Sequence, residues 1–491
     1  MDIEVRTEPQ SWFYSLRELL QIAFPEAALL PVSFFSERAH RLDLRFTYTE
    51  AGLKVKTELN IAGNCQSREC LLKVEATENL DKRNARGFVY EYLSDYLQRD
   101  LSPYGILTGV RPLKVVHRML DMGLDKVEII RRLMHDYHIN PAKAQELSEV
   151  ALYNRRFLLP PVAARRIISL YIGIPFCPSR CYYCSFPGAI LKHYDQEIPA
   201  FLEALYRESQ ALAELANQLG YRVENLYLGG GTPVILNAVD LDALLTHIKQ
   251  EWSFIDQPEL TVEAGRPDVI TEEKLQVMRR HQISRICINP QTMHGRTLRL
   301  VGRKHQVQDI VDAYRKSKAW GFTVVNMDVI LGLPHEDSHD YHETLQALLH
   351  MRPENITVHS LAVKRGSSLA AREGTGRLEI NAAAVKAGIA HFRHELTAAG
   401  YIPYYLYRQK YMKANLENTG FALPGTACRY NVQMMEERQT ILGLGAAASS
   451  KFFNSNDGSL SVTHNPKDPY FYKQNLDKCI QSKVDKLSAL N

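Results

Sequence analysis

Three thiols stand close together in the run Phe176-Cys177-Pro178-Ser179-Arg180-Cys181-Tyr182-Tyr183-Cys184, while Cys65, Cys70, Cys287, Cys428 and Cys479 are scattered. Eight cysteines in 491 residues are too few for a disulfide scaffold. Three clustered thiols cannot all pair with one another, and an odd cluster of this kind points to a metal. Spacings of four and three residues let the sulfurs curl toward one centre. Structural zinc normally takes four ligands and pairs one C-x2-C with a second pair elsewhere. A four-iron cluster normally takes four thiolates, so three leave one iron open to bind and polarise a small molecule. A zinc site or an inert set of buried thiols accounts less well for this spacing. Cys287, inside an apolar run, reads as an inert core thiol.

A strand must deliver these thiols. IISLYIGIP runs directly into Phe176, and Pro175 and Pro178 argue against a continuing helix, so the thiols lie on a loop at a strand's C-terminal end. From about Ile167 the runs IISLYIGIP, VENLYLGGG, ELTVEAG, SRICINPQ, TVVNMDVILGL and NITVHSLAV alternate with amphipathic stretches such as VDLDALLTHIKQEW. Six βα units predict parallel strands joined by right-handed crossovers. Six is fewer than the eight of a closed barrel, so the fold class is α/β with an open, partial (β/α)6 TIM-like barrel. Chemistry in such folds sits at the C-terminal strand ends. Gly229-Gly230-Gly231-Thr232-Pro233, Glu263, the segment Ile288 to Gln291, and Ala362 stand at such ends.

The barrel is assigned to residues 161–375. Before it, residues 1–160 read as an α+β domain: RLDLRFTYTE and GLKVKTELNIAG alternate as a hairpin does, and LKVVHRMLDMG and DKVEIIRRLMHDY are helical. Leu159-Pro160-Pro161 marks the boundary. After it, residues 376–491 read as a mostly helical domain covering the barrel. The composition, 45% hydrophobic and 23% charged, is that of a soluble globular chain. A net charge of +4 selects neither nucleic acid nor an anionic membrane. No apolar run is long enough to span a bilayer, and MDIEVRTEPQSWF lacks the basic start and apolar core of a signal peptide, so a cytoplasmic protein without membrane insertion is expected.

CxxxCxxC with an aromatic before the third cysteine resembles the radical S-adenosylmethionine (radical SAM) superfamily. LYIGIPFCPSRCYYCSF is similar to the oxygen-independent coproporphyrinogen III oxidases (coproporphyrinogen dehydrogenases) and their heme-chaperone relatives, and TGVRP, Thr108 to Pro112, resembles the HemZ-type branch. The resemblance implies a [4Fe-4S] cluster on Cys177, Cys181 and Cys184, with one or two molecules of S-adenosylmethionine cleaved to a 5′-deoxyadenosyl radical. It places Tyr183 at the adenine, Tyr171 near the sulfonium, Gly230, Gly231 and Thr232 at the methionine amino group, and Glu263 on the ribose. Gln291, Arg303 and Asp328 fall where the oxidases hold a second S-adenosylmethionine or the substrate, and Ala362 resembles a further backbone contact. Tyr171, Arg303 and Asp328 are the catalytic candidates. Arg303 would also suit Asp328 as a purely internal ion pair.

The implied reaction is oxidative decarboxylation of coproporphyrinogen III propionates to vinyls in heme biosynthesis, with a flavodoxin- or ferredoxin-type electron donor. Arg303 and Arg365 are candidates for holding the remaining propionates. Two rivals are a heme-binding chaperone that keeps the cluster and a radical SAM methyltransferase on another substrate. Gly443 and Gly445 resemble the family's C-terminal glycine motif. Two departures weaken the substrate assignment: Gly173 replaces a histidine common in the oxidases, and Ser185-Phe186 stand where a further cysteine is common. His335, His339 and His342 have ligand-like spacing, but Pro334 and Asp337-Ser338 mark a capped helix start instead. Tyr401, Tyr404, Tyr405, Tyr407 and Tyr411 suit either a flat macrocycle or a core.

Overall fold

The computed structural model describes residues 1–37, 40–75, 77–184, 186, 189–361, 381–408 and 417–490. The chain divides into two compact units, Met1–Leu152 and Tyr153–Asn491. No helix among the described residues is long and apolar enough to cross a membrane.

In the first unit the strands β1 (Asp2–Glu8), β2 (Ala28–Pro31), β3 (His40–Thr49), β4 (Gly52–Ile61) and β5 (Asn64–Leu72) form a sheet of order β2-β1-β3-β4-β5. The hairpin expected from alternation is β3–β4, antiparallel from His40↔Ile61 to Thr49↔Gly52. One face carries Ile3, Val5, Leu42, Leu44, Leu53 and Val55, all buried in one core with Leu16, Leu20, Val89 and Leu93 of the helices Trp12–Ala23 and Glu78–Leu97. Period-2 apolar residues on the strands meet period-3.6 apolar residues on the helices, which is the pattern that packs helix on sheet.

The second unit is built on β6 (Ile167–Ile174), β7 (Phe176–Cys177), β8 (Ala189–Ile190), β9 (Arg222–Gly230), β10 (Phe254–Gly265), β11 (Arg285–Gln291), β12 (Val324–Leu331), β13 (Asn355–Ser360), β14 (Ile402–Arg408), β15 (Glu417–Ala422), β16 (Ile441–Leu444), β17 (Ser449–Phe453) and β18 (Leu460–His464). The six apolar runs become β6, β9, β10, β11, β12 and β13, neighbours in that order and parallel throughout. Among the described residues the sheet extends to eleven strands and does not close on itself. Outward residues such as Leu170, Leu228, Ile288, Val325 and Val358 join one apolar core with the crossover helices.

The C-terminal segment contains the helices Ala382–Ala398, Arg429–Glu436, Pro469–Gln474 and Leu476–Ser488. It also supplies five strands that the sequence reading missed, and these belong to the barrel sheet rather than to a separate body. β16 lies parallel to β6, Ile441↔Ser169 to Leu444↔Ile172, while β15 runs antiparallel to β13. The reason for the miss is length: ILGL is a four-residue strand whose glycine, in a glycine-rich run, reads as a turn. Contact therefore joins the described C-terminal residues to the barrel and leaves one boundary, at 152/153, where the sequence reading has two.

Candidate functional site

β6 ends at Ile174, and the loop that follows is closed at its base by its own two ends and tied to the barrel at its middle. Phe176↔Ala189 and Cys177↔Ile190 form a short parallel pair, Ala189 N donates to Pro175 O (2.7 Å) and Tyr182 N to Val301 O (3.0 Å). All three thiols are free and half-buried. Burial pushes the Cys177 and Cys184 thiols up. For Cys184 the loss of water outweighs the help of a backbone hydrogen bond at Phe186. For Cys177 it outweighs the Thr232 hydroxyl, whose Oγ1 lies 3.6 Å from the sulfur.

The donor set fits a cluster better than a single ion. Among the described residues, only His294, Asp340 and Glu343 gather three ligand atoms within 4.8 Å, and the three thiols do not. Thiolates on one zinc ion, each about 2.3 Å from the metal, would crowd closer than that. The glycine run also leaves room at the sulfurs. A Cβ on Gly231 would lie 2.9 Å from Cys177 Sγ and 2.5 Å from Phe176 O, so only glycine lets this strand end meet the thiol loop.

Further around the rim, Glu263 is no surface glutamate. It accepts from Tyr227 OH (2.6 Å) and Gly230 N (3.2 Å), and burial pushes its carboxyl up to about 7 against those two hydrogen bonds, with the Asp328 charge adding to the rise. Tyr171 stacks with Tyr227 and Tyr430, ring centroids 6.2 Å from each, and burial raises its hydroxyl. Gln291 takes a left-handed backbone (φ 69). Gln291 Oε1, Asn289 Oδ1 and Arg303 Nε are buried without a hydrogen-bond partner among the described residues. Such orphaned atoms beside a thiol loop suit a polar ligand.

The ion pair weighed for Arg303 and Asp328 does not form. Arg303 donates to Asn289 O and, at 3.0 Å, to Tyr183 OH, which binds it to the cysteine loop. Asp328 instead accepts from Asn326 Nδ2 (2.8 Å) and lies 3.9 Å from His359 Nε2. Burial raises the Asp328 carboxyl, but His359, Asn326 and Thr357 together hold it below its ordinary value. His359 is a residue that sequence reasoning missed. Its signal was present, because in NITVHS the polar residues Asn355, Thr357 and His359 alternate within an apolar run.

Glu263, Asp328 and His359 line a cavity of about 190 Å³, together with Cys287, Tyr405 and Tyr407. The tyrosine run is thereby divided. Tyr401 is core, its hydroxyl donating to Pro353 O (2.6 Å), whereas Tyr404, Tyr405 and Tyr407 border the cavity. Cys287 is buried as expected, and burial raises its thiol. Gly445 explains Gly173: a Cβ on Gly445 would stand 2.4 Å from Gly173 O, and one on Gly173 would stand 3.0 Å from Ala446 O. The C-terminal glycine loop occupies the space that a larger side chain on β6 would need. Asp337 caps the helix Ser338–Met351, as its sequence position predicts. Ala362, Arg365 and Tyr411 lie outside the described residues.

The sequence profile of the radical SAM superfamily matches residues 171–348. The oxygen-independent coproporphyrinogen-III oxidase-like protein HemZ of Bacillus subtilis is 34% identical over 459 residues, covering 91% of this chain and 90% of that protein. The heme chaperone HemW of Lactococcus lactis is 27% identical over 281 residues, 57% of this chain and 69% of its own. The solved coproporphyrinogen III oxidase HemN of Escherichia coli shares the fold, with a TM-score of 0.52 at 23% identity over 66% of this chain and 72% of that one. The chain belongs to the radical SAM superfamily, which works with a [4Fe-4S] cluster and S-adenosylmethionine, and within it to the oxygen-independent coproporphyrinogen III oxidase family, in its HemZ-type branch.

Proposed function

We propose that this protein catalyses the oxygen-independent conversion of coproporphyrinogen III to protoporphyrinogen IX in the cytoplasm, with an electron donor of flavodoxin or ferredoxin type. Two propionate side chains each lose a hydrogen atom, carbon dioxide and, to an external one-electron acceptor, one electron, and each becomes a vinyl group. The observation that carries the reading is the free thiol trio at the end of β6, walled by Gly231 and bordered by orphaned polar atoms on Asn289, Gln291 and Arg303. The name of the Bacillus subtilis relative supports the substrate class.

In this reading Cys177, Cys181 and Cys184 hold the [4Fe-4S] cluster. Bound together, cluster and S-adenosylmethionine supply a low-potential electron and a 5′-deoxyadenosyl radical. The chain itself binds and orients. Glu263 accepts hydrogen bonds from a hydroxyl pair, the free Nε of Arg303 and Oε1 of Gln291 take polar groups of the ligand, and Tyr171 and Tyr183 exclude water with buried rings. Asp328, kept ionised by His359, is the acceptor facing the cavity.

The test is an anaerobic assay of reconstituted protein with coproporphyrinogen III, S-adenosylmethionine and a reductant, read by mass spectrometry. Loss of two carbon dioxide equivalents from the substrate is expected; inertness with an intact, reduced cluster overturns the reading. A second reading, a heme-binding chaperone, is favoured by the Lactococcus lactis relative and by Gly173 and Ser185-Phe186. Tight heme binding without turnover would select it.

A further inference from the structure

The loop between Cys177 and Cys181 is gripped at its middle residue by a buried cation that the proposed reaction does not use. Arg266 follows Gly265 at the end of β10, and its side chain is 5% exposed. Its Nη1 donates to Ser179 Oγ and to Ser179 O. The rest of the guanidinium forks onto Asp268, Nε to Oδ1 at 3.1 Å and Nη2 to Oδ2 at 2.9 Å. Behind Asp268 stands His305, fully buried, its Nδ1 3.5 Å from Asp268 Oδ1. Burial raises the Asp268 carboxyl, but His305 and Arg266 outweigh it and hold the group well below the usual carboxylate range. One fixed cation and one fixed anion therefore stand in line behind the thiol loop, with the cation nearer.

We propose that Arg266, Asp268 and His305 form a positioning unit that shapes the cysteine loop through Ser179 and sets the reduction potential of the cluster it carries. The proposal rests on the reading that Cys177, Cys181 and Cys184 hold a [4Fe-4S] cluster. Reduction adds one negative charge to a centre already ligated by thiolates, and nearby charge and hydrogen bonding set how readily that happens. A guanidinium in a poorly screened interior favours the added charge, and its carboxylate partner opposes it. The planar fork matters as well as the charge, because a lysine ammonium is a point charge without the fork that engages Ser179 and Asp268 together. A merely structural unit would loosen the loop alike whichever member is lost. A charge-setting unit moves the potential in opposite directions.

Full-length wild type, Arg266→Gln, Arg266→Lys and Asp268→Asn, reconstituted anaerobically without substrate, are compared for iron per chain and for midpoint potential by EPR-monitored redox titration. Arg266→Gln is expected to lower the reduced-to-oxidised ratio at fixed potential about tenfold, a shift of about 59 mV to the negative for a one-electron couple. Asp268→Asn, which leaves the guanidinium uncompensated, is expected to shift the potential to the positive. Arg266→Lys is expected to keep the potential near that of wild type while losing iron faster to a chelator. Shifts of the same sign in Arg266→Gln and Asp268→Asn, or no shift in either with full iron, overturn the proposal. If Arg266→Gln takes up no iron, the sign of the Asp268→Asn shift decides. Wild-type protein that takes up no iron overturns the cluster reading itself, whereas iron-loaded variants with unmoved potentials overturn only this unit.

Discussion

The two large sheets of this molecule turn opposite faces to what they enclose. In residues 1–152 the enclosed face is aliphatic, Ile3, Val5, Leu42, Leu44, Leu53 and Val55, and the charged pairs Arg6–Asp43 and Arg45–Asp43 form on β1 and β3 away from that core. In residues 153–491 the aliphatic face looks outward to the helices, and the cavity-lining face carries Glu263, Cys287, Asn326, Asp328, Thr357 and His359. Both strand sets obey period 2. The first uses it to bury apolar surface once, the second to separate an apolar shell from a polar chamber. Burying carboxylates is costly unless they are partnered, so a polar interior marks a place where chemistry outweighs stability.

That contrast can be broken by experiment, beginning with the largest effect. Alanine at Cys177, Cys181 or Cys184 should remove iron and cut S-adenosylmethionine cleavage at least about a hundredfold, since each thiolate is a cluster ligand in this reading. Alanine at Cys65, Cys70, Cys287, Cys428 or Cys479 should leave both near wild type by iron analysis and 5′-deoxyadenosine yield. A scattered cysteine as essential as Cys181 would give iron a fourth protein ligand and close the open site. Next, Leu16→Ala, in the aliphatic core of the first unit, should cost about 2–5 kcal/mol in the unfolding of that unit while iron per chain stays constant. Loss of iron in that variant would show the two units to be coupled.

His359→Gln should keep the cluster yet weaken S-adenosylmethionine or substrate use by about tenfold, because it strips Asp328 of its imidazole partner in the chamber. Asp328→Asn should resemble it, and a double variant no worse than either single one would confirm that the two act together. The smallest effect concerns pH. Glu263 titrates near 7 when folded and near its ordinary 4.5 when unfolded. The folded protein therefore binds the extra proton between those values, and the stability this group contributes below pH 4.5 is lost as pH rises to about 7. Cofactor-free Glu263→Gln should show a flatter melting temperature across that window, by a few degrees at most. An unchanged pH profile would place the Glu263 carboxyl in water.

The barrel was legible because parallel strands buried on both faces read as continuous apolar runs, and all six runs became neighbouring strands in chain order. The spacing also announced three thiols on one loop after a strand, and Cys177, Cys181 and Cys184 stand free just beyond β6. The polar chamber was not, because Asn326, Asp328, Thr357 and His359 are single polar letters inside apolar strings, and only the sheet register lines them up. Asp328 faces Thr357 across the β12–β13 pair, which puts the next inward residue, His359, within its reach. Sequence distance hid the rest. Arg266 and Ser179 lie 87 positions apart, and nothing local in either segment announces the other. β16 was hidden by its brevity and its glycine, and its partner strand lies far upstream.

That distance has a consequence for how the protein comes into being. Ser169, on the strand that presents the thiols, hydrogen-bonds to Gln439, 270 positions later. At the usual pace of about 5–20 residues per second, the ribosome needs on the order of tens of seconds to supply the second neighbour of β6. Throughout that interval the thiol-bearing strand has an open edge, and the loop lacks the glycine turn that backs Gly173. A nascent chain stalled before residue 441 thus carries the three thiols beyond a strand whose second neighbour has yet to be made.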